Sequence, residues 1–197
     1  MMFGEMHSKF SKSFIECYDN ALSKEECDIL INQFEKNPEK ITDGKVFSGT
    51  GYGIDKNIKS CREIENLKFS NGDIISNIID TSLRKQLNLY VKKYPLLSTN
   101  VSHWDVEDIY NFQKYENSED GYKNWHMENG RLDCCKRILV WTFYLNNAKS
   151  GTEFYNHSTV KAKRGRCVIW PAGPTTFHRS QPNKGLKYIV TGWCGWI

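Results

Sequence analysis

The 197-residue sequence predicts an α+β fold in which N-terminal helices pack on a sheet formed by the second half of the chain. Two observations lead to this prediction. Helical patterns of apolar residues occur only before residue 100, and short β-like runs separated by Gly, Asn, Asp or Pro follow from about residue 106. This order favours a second half that closes on itself as a sandwich or jelly roll.

Composition predicts one domain over residues 1–197, with helical support in residues 1–100 and a β-rich core in residues 106–197. A hydrophobic content of 39% with six Trp, ten Tyr and ten Phe can form one substantial core. The net charge of +4 is too small to indicate nucleic-acid binding. No apolar run is long enough to span a membrane.

The cysteines and the N-terminus both favour a cytoplasmic protein. The seven Cys are odd in number and scattered, and the adjacent pair Cys134 and Cys135 suits neither a disulfide framework nor a zinc site. Reduced thiols in the cytosol are therefore expected. Residues 1–10 mix charged with apolar side chains and do not resemble a signal peptide.

The first elements are a short strand and a helix. Residues 14–18 have a strand-like pattern, and Ser23 with Glu26 forms a capping box at a helix start. Apolar residues at helical spacing follow, until Asn37 and Pro38 end the run. Residues 40–62 contain few apolar side chains and predict an irregular loop, which is either a lid or an ordinary surface connection.

The longest helix is predicted to begin at residues 70–73 and to end before Pro95. Its apolar stripe would cover the sheet. The stripe comprises Ile74, Ile75, Ile78, Ile79, Leu83, Leu87, Tyr90 and Val91. The strands that follow are expected at residues 109–115, 122–126, 137–145, 152–155, 166–170, 175–178 and 186–196.

Strand alternation assigns the faces of two central strands. In residues 137–145, one face carries Leu139, Trp141, Phe143 and Leu145 and should pack under the helices. The opposite face carries Ile138, Val140, Thr142 and Tyr144, whose two hydroxyls suit the wall of a pocket. In the last strand Lys187, Ile189, Thr191 and Trp193 share a face. A buried lysine on that face would need an anionic partner.

A candidate metal site lies in the segment Tyr122–Asn129. His126 and Glu128 are two residues apart, so in an extended segment they share one face. An imidazole and a carboxylate are two of the three ligands of a 2-His-1-carboxylate site for non-haem Fe(II). His178 is the candidate third ligand. The His-x-Glu pattern alone is a weak signal.

Several features in fixed order strengthen this hypothesis. They are Gln113–Tyr115, Tyr122, His126 with Glu128, the strand Arg137–Asn146, Gly151–Phe154, Gly165–Trp170, and Lys187 nine residues after His178. Over residues 108–196 this set resembles the 2-oxoglutarate- and Fe(II)-dependent oxygenases, in particular the prolyl 4-hydroxylase-like branch. The resemblance implies a double-stranded β-helix, which is a cupin-like jelly roll, with the N-terminal helices packed on its major sheet.

The resemblance also implies roles for individual residues. His126, Glu128 and His178 would hold Fe(II) and form the catalytic centre, and Lys187 would pair with the distal carboxylate of 2-oxoglutarate. Tyr144 and Thr191 match positions that hydrogen-bond this cosubstrate. Tyr115 matches a position near its metal-binding end, and Trp193 an aromatic wall beside the iron. O₂ would be the second cosubstrate, and the family allows ascorbate as a further cofactor.

The implied reaction is hydroxylation of a prolyl residue in a peptide or protein, with release of succinate and CO₂. Most of the family has Asp at the position of Glu128, whose extra methylene must be accommodated for the carboxylate to reach the metal. Asp133 is the fallback carboxylate. Arg62 and His157 are candidate substrate contacts. The basic cluster Lys161, Lys163, Arg164 and Arg166 is either a substrate contact or a solvated hairpin.

Two other functions stay open at this point. An oxygenase of the same fold could act on a nucleobase, a sugar or a free amino acid, although the single Lys187 differs from the paired arginine motif typical of nucleic-acid demethylases in this superfamily. A non-catalytic jelly-roll binding or structural protein would make the two histidines and Glu128 incidental. The presence or absence of bound metal separates that alternative from the two oxygenases.

Overall fold

The computed structural model describes residues 13–48 and 51–197, so the predictions for residues 1–10 lie outside the described residues. Three helices are present in this part of the chain: α1 (Lys24–Glu35), α2 (Ile74–Lys93) and α3 (Leu96–Thr99). The strands are β1 (Glu16–Tyr18), β2 (Thr42–Asp43), β3 (Lys45–Ser48), β4 (Gly51–Ile54), β5 (Lys59–Ser60), β6 (Arg62–Lys68), β7 (Trp104–Tyr115), β8 (Gly121–Tyr122), β9 (Arg137–Tyr144), β10 (Gly151–Phe154), β11 (Val160–Lys161), β12 (Arg166–Pro171), β13 (His178–Ser180) and β14 (Lys187–Trp196).

Both predicted helices are confirmed, together with the signals that begin them. At α1 the backbone N–H of Glu26 donates to Oγ of Ser23 at 3.1 Å, and the N–H of Ser23 donates to the Glu26 carboxylate at 2.7 Å. At α2 the side chain of Asp73 accepts a hydrogen bond from the N–H of Ser76 at 2.8 Å. These bonds satisfy donors that have no partner within the helix.

Within the part of the chain that the structure describes, no helix is long and apolar enough to cross a membrane.

The strands form a major and a minor sheet that face each other. The major sheet has seven strands in the order β1-β12-β9-β14-β7-β6-β2, and the minor sheet has the order β11-β10-β13. Helices α1 and α2 pack on the outer face of the major sheet, and a second apolar cluster lies between the two sheets. The predicted α+β jelly roll with helices on its major sheet is confirmed.

The face assignments from strand alternation are also confirmed, with one exception. Leu139, Trp141, Phe143 and Leu145 lie in the cluster under the helices, whereas Val140, Tyr144 and Trp193 lie in the cluster between the sheets. The exception is Ile138, which packs against the helical cluster although it was assigned to the pocket face. Ile138 pairs with no β14 residue, because the register of β14 on β9 shifts beside Leu139.

Residues 40–62 were predicted to be an irregular loop, and this prediction is wrong. The segment contains β2, β3, β4 and β5, and β3 pairs with β4 as an antiparallel hairpin. These strands are two to four residues long, and the hairpin exposes Phe47 and Tyr52. Strands this short have too few residues to show a clear alternation of apolar and polar side chains.

Two predicted strands near the candidate metal site are shorter than expected. The run at residues 122–126 is a strand only at Gly121–Tyr122, and His126 instead forms an isolated bridge with His178. The run at residues 175–178 begins as a 3₁₀ turn at Pro174–Thr176, and the strand starts only at His178. Both histidines therefore lie where regular structure begins or ends.

Candidate metal centre

Backbone hydrogen bonds bring the three predicted ligands together. The N–H of His126 donates to the carbonyl of His178 at 3.0 Å, and the N–H of His178 donates to the carbonyl of His126 at 3.0 Å. The N–H of Glu128 donates to the carbonyl of Ala172 at 2.9 Å. As a result, one potential ligand atom from each of His126, Glu128 and His178 lies within 4.8 Å of the other two.

The two imidazole rings are oriented in the same way. Nδ1 of His126 lies 3.1 Å from the carbonyl oxygen of Asn124, and Nδ1 of His178 lies 3.1 Å from that of Thr176. A carbonyl oxygen can only accept, so each Nδ1 carries the hydrogen and each Nε2 is left for a metal. The two Nε2 atoms lie 3.4 Å and 3.5 Å from Oε1 of Glu128.

Aromatic neighbours hold these rings in place. Tyr122 stacks on His126 with ring centroids 3.6 Å apart and an interplanar angle of 14°. Trp170 contacts His178 edge-on, with centroids 5.1 Å apart. Burial lowers the pKa of His178, which favours the neutral imidazole that a metal needs.

The carboxylate of Glu128 has a different partner for each oxygen. Oε1 faces the two imidazoles, and Oε2 accepts a hydrogen bond from Nε1 of Trp193 at 2.9 Å. Burial would raise the pKa of Glu128, but the interactions with His126 and His178 outweigh burial and lower it well below its usual value. The carboxylate is therefore ionised at neutral pH.

This donor set fits a divalent transition metal. Two imidazole nitrogens and one carboxylate oxygen are the ligands of the facial Fe(II) site, in which other coordination positions stay open. Two ligand atoms that are each about 2.1 Å from a metal, at a right angle, are about 3.0 Å apart. The Nε2 to Oε1 distances of 3.4 Å and 3.5 Å are close to this value, so small side-chain movements would complete the site.

A second feature is a buried ammonium group on the same strand as Trp193. Lys187 is 2% exposed, and its Nζ lies 4.4 Å from the centroid of the Tyr115 ring. Within residues 13–48 and 51–197, no carboxylate lies within ion-pair distance of this Nζ. Burial lowers the pKa of Lys187 to about 8. An ammonium buried without an acidic partner is unfavourable unless an anion binds to it.

Comparison with known proteins finds a family model that matches the second half of the chain. The model described as "2OG-Fe(II) oxygenase superfamily" matches residues 110–195, which contain the three clustered side chains and Lys187. This part of the chain is similar to that superfamily. No curated protein matches the sequence.

Solved structures of prolyl hydroxylases have the same fold as this chain. The viral collagen prolyl hydroxylase of Paramecium bursaria Chlorella virus-1 is 18% identical with a TM-score of 0.66, covering 93% of this chain and 97% of its own. The Pseudomonas putida prolyl-4-hydroxylase is 15% identical with a TM-score of 0.67 and 96% coverage of both chains. A Trichoplax adhaerens prolyl hydroxylase is 13% identical with a TM-score of 0.69, covering 95% and 86%.

The structure places three of the five other predicted residues around one cavity of about 690 Å³, and Lys187 is not among the residues that line it. Tyr115, Thr191 and Trp193 line this cavity together with the three clustered side chains. Oγ1 of Thr191 lies 2.8 Å from Oγ1 of Thr142, so the hydroxyls of two residues that were assigned to the pocket faces of β14 and β9 meet there. Tyr144 does not line the cavity itself, but its hydroxyl lies 2.6 Å from Oγ1 of Thr152, which does.

The structure places Tyr115 beside Lys187, since its ring centroid lies 4.4 Å from the Lys187 Nζ. Its assignment to the metal-binding end of the cosubstrate stays a prediction. Its hydroxyl donates to Oε1 of Gln113 at 2.7 Å, and Nε2 of Gln113 donates to Glu63 at 3.1 Å. Tyr115 is therefore part of a hydrogen-bonded chain that runs through Gln113 to Glu63.

The weaker candidates of the sequence stay outside the cluster. Asp133 is exposed and pairs with Arg131, so it does not replace Glu128 as a ligand. Arg62 pairs with Asp43 at 2.8 Å, and neither Arg62 nor His157 lines the cavity. In the basic cluster, acidic partners bind three side chains: Lys163 and Arg166 pair with Asp19, and Arg164 pairs with Asp28.

Sequence reasoning missed two charged groups of the site. Arg137 places its guanidinium 3.6 Å from the ring centroid of Trp193 and pairs with Glu107 at 3.2 Å. Lys59 lines the cavity and forms a buried ion pair with Glu63 at 2.6 Å. Neither gives a local signal in the sequence, since a charged residue at a strand start is usually solvated.

Proposed function

We propose that this protein is a Fe(II)- and 2-oxoglutarate-dependent dioxygenase that hydroxylates a prolyl residue of a peptide or protein. One observation carries the proposal. The cluster of His126, Glu128 and His178 lies beside Trp193. Trp193 shares one face of β14 with Lys187, which is buried and has no carboxylate partner among the described residues. Lys187 does not line the cavity that holds the three ligands, but the Tyr115 ring beside its ammonium does, so a ligand set for Fe(II) and a receptor for a carboxylate lie on the same side of the sheet.

Each group of the chain has a definite task in this reaction. The imidazoles of His126 and His178 and the ionised Glu128 would hold the metal, leaving other coordination positions open for ligands. The ammonium of Lys187 would bind the distal carboxylate of 2-oxoglutarate, which supplies the anion that the buried charge lacks. The hydroxyl of Thr191 lines the cavity and donates to the Trp141 carbonyl at 2.9 Å, so it would bind the same cosubstrate by exchanging this partner for it.

Bound Fe(II) would supply the activation of O₂, with one oxygen atom entering the C–H bond of the substrate and the other entering succinate as 2-oxoglutarate loses CO₂. The chain contributes a shaped cavity, in which Trp170, Ile189 and Trp193 form apolar walls. Such walls limit the access of water to the reacting groups.

The mouth of the cavity suits an extended peptide. The β3–β4 hairpin contributes Phe47 and Tyr52, both exposed, and the guanidinium of Arg131 lies 3.9 Å from the Phe47 ring centroid. Exposed aromatic side chains are the groups that proline-rich peptides bind. The similarity of the fold to prolyl hydroxylases supports the same substrate class.

The experiment has two stages. Metal binding is measured first under anaerobic conditions, and near-stoichiometric Fe(II) is expected for the wild type but not for His178→Ala, with His103→Ala as the matched control because His103 is exposed and far from the cluster in sequence. A panel of proline-containing peptides is then screened by mass spectrometry for products heavier by one oxygen atom. Absence of bound metal would refute the enzyme, and products only from nucleosides, sugars or free amino acids would refute the prolyl substrate.

A further inference from the structure

The side chain of Glu128, which is one methylene longer than an aspartate, is fixed by a hydrogen bond to the carboxylate oxygen that faces away from the histidines. Oε2 accepts a hydrogen bond from Nε1 of Trp193 at 2.9 Å, and Nη1 of Arg137 lies 3.7 Å from the same oxygen. Oε1 remains 3.4 Å and 3.5 Å from the two Nε2 atoms. The two oxygens of Glu128 therefore face different groups.

The donor of this hydrogen bond is itself held from two sides. The guanidinium of Arg137 lies 3.6 Å from the Trp193 ring centroid, and Nε of Arg137 donates to the Glu107 carboxylate at 3.2 Å. The backbone of Trp193 lies in β14, paired with Val140 of β9. An indole fixed in this way cannot follow a carboxylate that rotates, so the hydrogen bond selects one orientation of Glu128.

We propose that Trp193, braced by Arg137, is a positioning residue that allows the longer Glu128 to serve as the carboxylate ligand of the metal. A glutamate has one more rotatable bond than an aspartate and can point its carboxylate in more directions. The Trp193 hydrogen bond removes this freedom by fixing Oε2 and directing Oε1 toward the histidines. The inference rests on the proposed metal site, to which it adds a reason why glutamate can fill this position.

The test is a double-mutant cycle in metal affinity. Mn(II) binding is measured by the electron paramagnetic resonance signal of free Mn(II) for the wild type, Trp193→Phe, Glu128→Asp and the double variant. We expect Trp193→Phe to weaken Mn(II) binding by about 10- to 100-fold in the presence of Glu128. In the Glu128→Asp background the same change should cost no more than about 2-fold, because an aspartate is shorter by about 1.5 Å and ends beyond hydrogen-bond reach of the indole.

The possible outcomes separate this inference from the proposed function. Equal losses in both backgrounds would mean that Trp193 only supports the fold, and no loss with Glu128 would mean that the hydrogen bond is immaterial. Either result overturns the inference while leaving the metal site intact. If the wild type does not bind Mn(II), both the inference and the proposed function are wrong.

A second measurement does not depend on replacing Trp193. In the Zn(II)-bound protein labelled with ¹⁵N-tryptophan, the indole N–H of Trp193 should exchange with solvent roughly tenfold more slowly in the wild type than in Glu128→Asp. The other tryptophan N–H groups, such as that of Trp104, which donates to the Leu97 carbonyl at 2.7 Å, serve as internal controls. Equal exchange of the Trp193 N–H in the two proteins would overturn the inference.

Discussion

Replacing Lys187 by Met is expected to stabilise the metal-free protein and to weaken cosubstrate binding. The ammonium is 2% exposed, and burial lowers its pKa from an unperturbed 10.5 to about 8. This difference corresponds to about 3 kcal/mol of unfavourable free energy for keeping the group charged at pH 7. Loss of the contact between the ammonium and the Tyr115 ring would reduce this gain in stability by about 1 kcal/mol. The net expectation is about 2 kcal/mol of added stability.

Two assays test this prediction. Thermal unfolding at pH 7 should show a melting temperature about 4–8 °C higher for Lys187→Met than for the wild type. Calorimetric titration with 2-oxoglutarate in the presence of Mn(II) should show an affinity at least about 30-fold lower, because the cosubstrate carboxylate would have no buried charge to pair with. The matched control is Lys85→Met on an exposed position of α2, which should change stability by less than about 0.5 kcal/mol.

The pH dependence gives a further check on the same residue. Between about pH 8 and 10.5 the unfolded wild type binds more protons at this lysine than the folded protein does. The stability of the wild type relative to Lys187→Met should therefore rise with pH across this window. The affinity of the wild type for 2-oxoglutarate should fall about tenfold per pH unit above pH 8, since Lys187 of the ligand-free protein loses its positive charge there. A Lys187→Met protein that is less stable than the wild type and still binds 2-oxoglutarate with the same affinity would refute the reasoning.

Two further predictions concern stability alone. Glu63→Ala should lower the free energy of unfolding, measured by urea denaturation, by about 3–5 kcal/mol. The change leaves the buried ammonium of Lys59, which lies 2.6 Å from the Glu63 carboxylate in the wild type, without an anion. A loss below about 1 kcal/mol would show that the pair is not desolvated. Gly192→Ala should cost about 1–3 kcal/mol in thermal unfolding, because its Cβ would lie 2.3 Å from Cζ2 of Trp141; an unchanged melting temperature would contradict this packing.

The parts of the fold that could be predicted from sequence are those with a local physical signal. The capping box at Ser23 and the cap at Asp73 mark helix starts because the side chains bond to backbone groups a few residues away. The inner face of β14 could be assigned because alternation holds from Lys187 to Trp193. The ordered set of site residues then identified the three clustered side chains.

The missed elements depend on partners that are distant in sequence. Strand β2 exists because Thr42 and Asp43 pair with β6, and such short segments carry no pattern of their own. The orientation of His126 and His178 depends on the carbonyl oxygens of Asn124 and Thr176, which any residue type could provide. For the same reason the role of Trp193 beside Glu128 could not be inferred, since 65 residues separate them.

The two buried lysines of the site show why sequence alone does not separate structural from functional charges. Lys59 is satisfied within the chain, because its Nζ binds Glu63 at 2.6 Å and the Lys45 carbonyl at 3.0 Å. Among residues 13–48 and 51–197, Lys187 contacts only the face of the Tyr115 ring. The unfavourable free energy of burying the Lys187 ammonium would be offset if a carboxylate bound to it, whereas the Lys59 ammonium already has an anionic partner. Of the two lysines, Lys187 is therefore the one for which we expect an anionic ligand to raise protein stability.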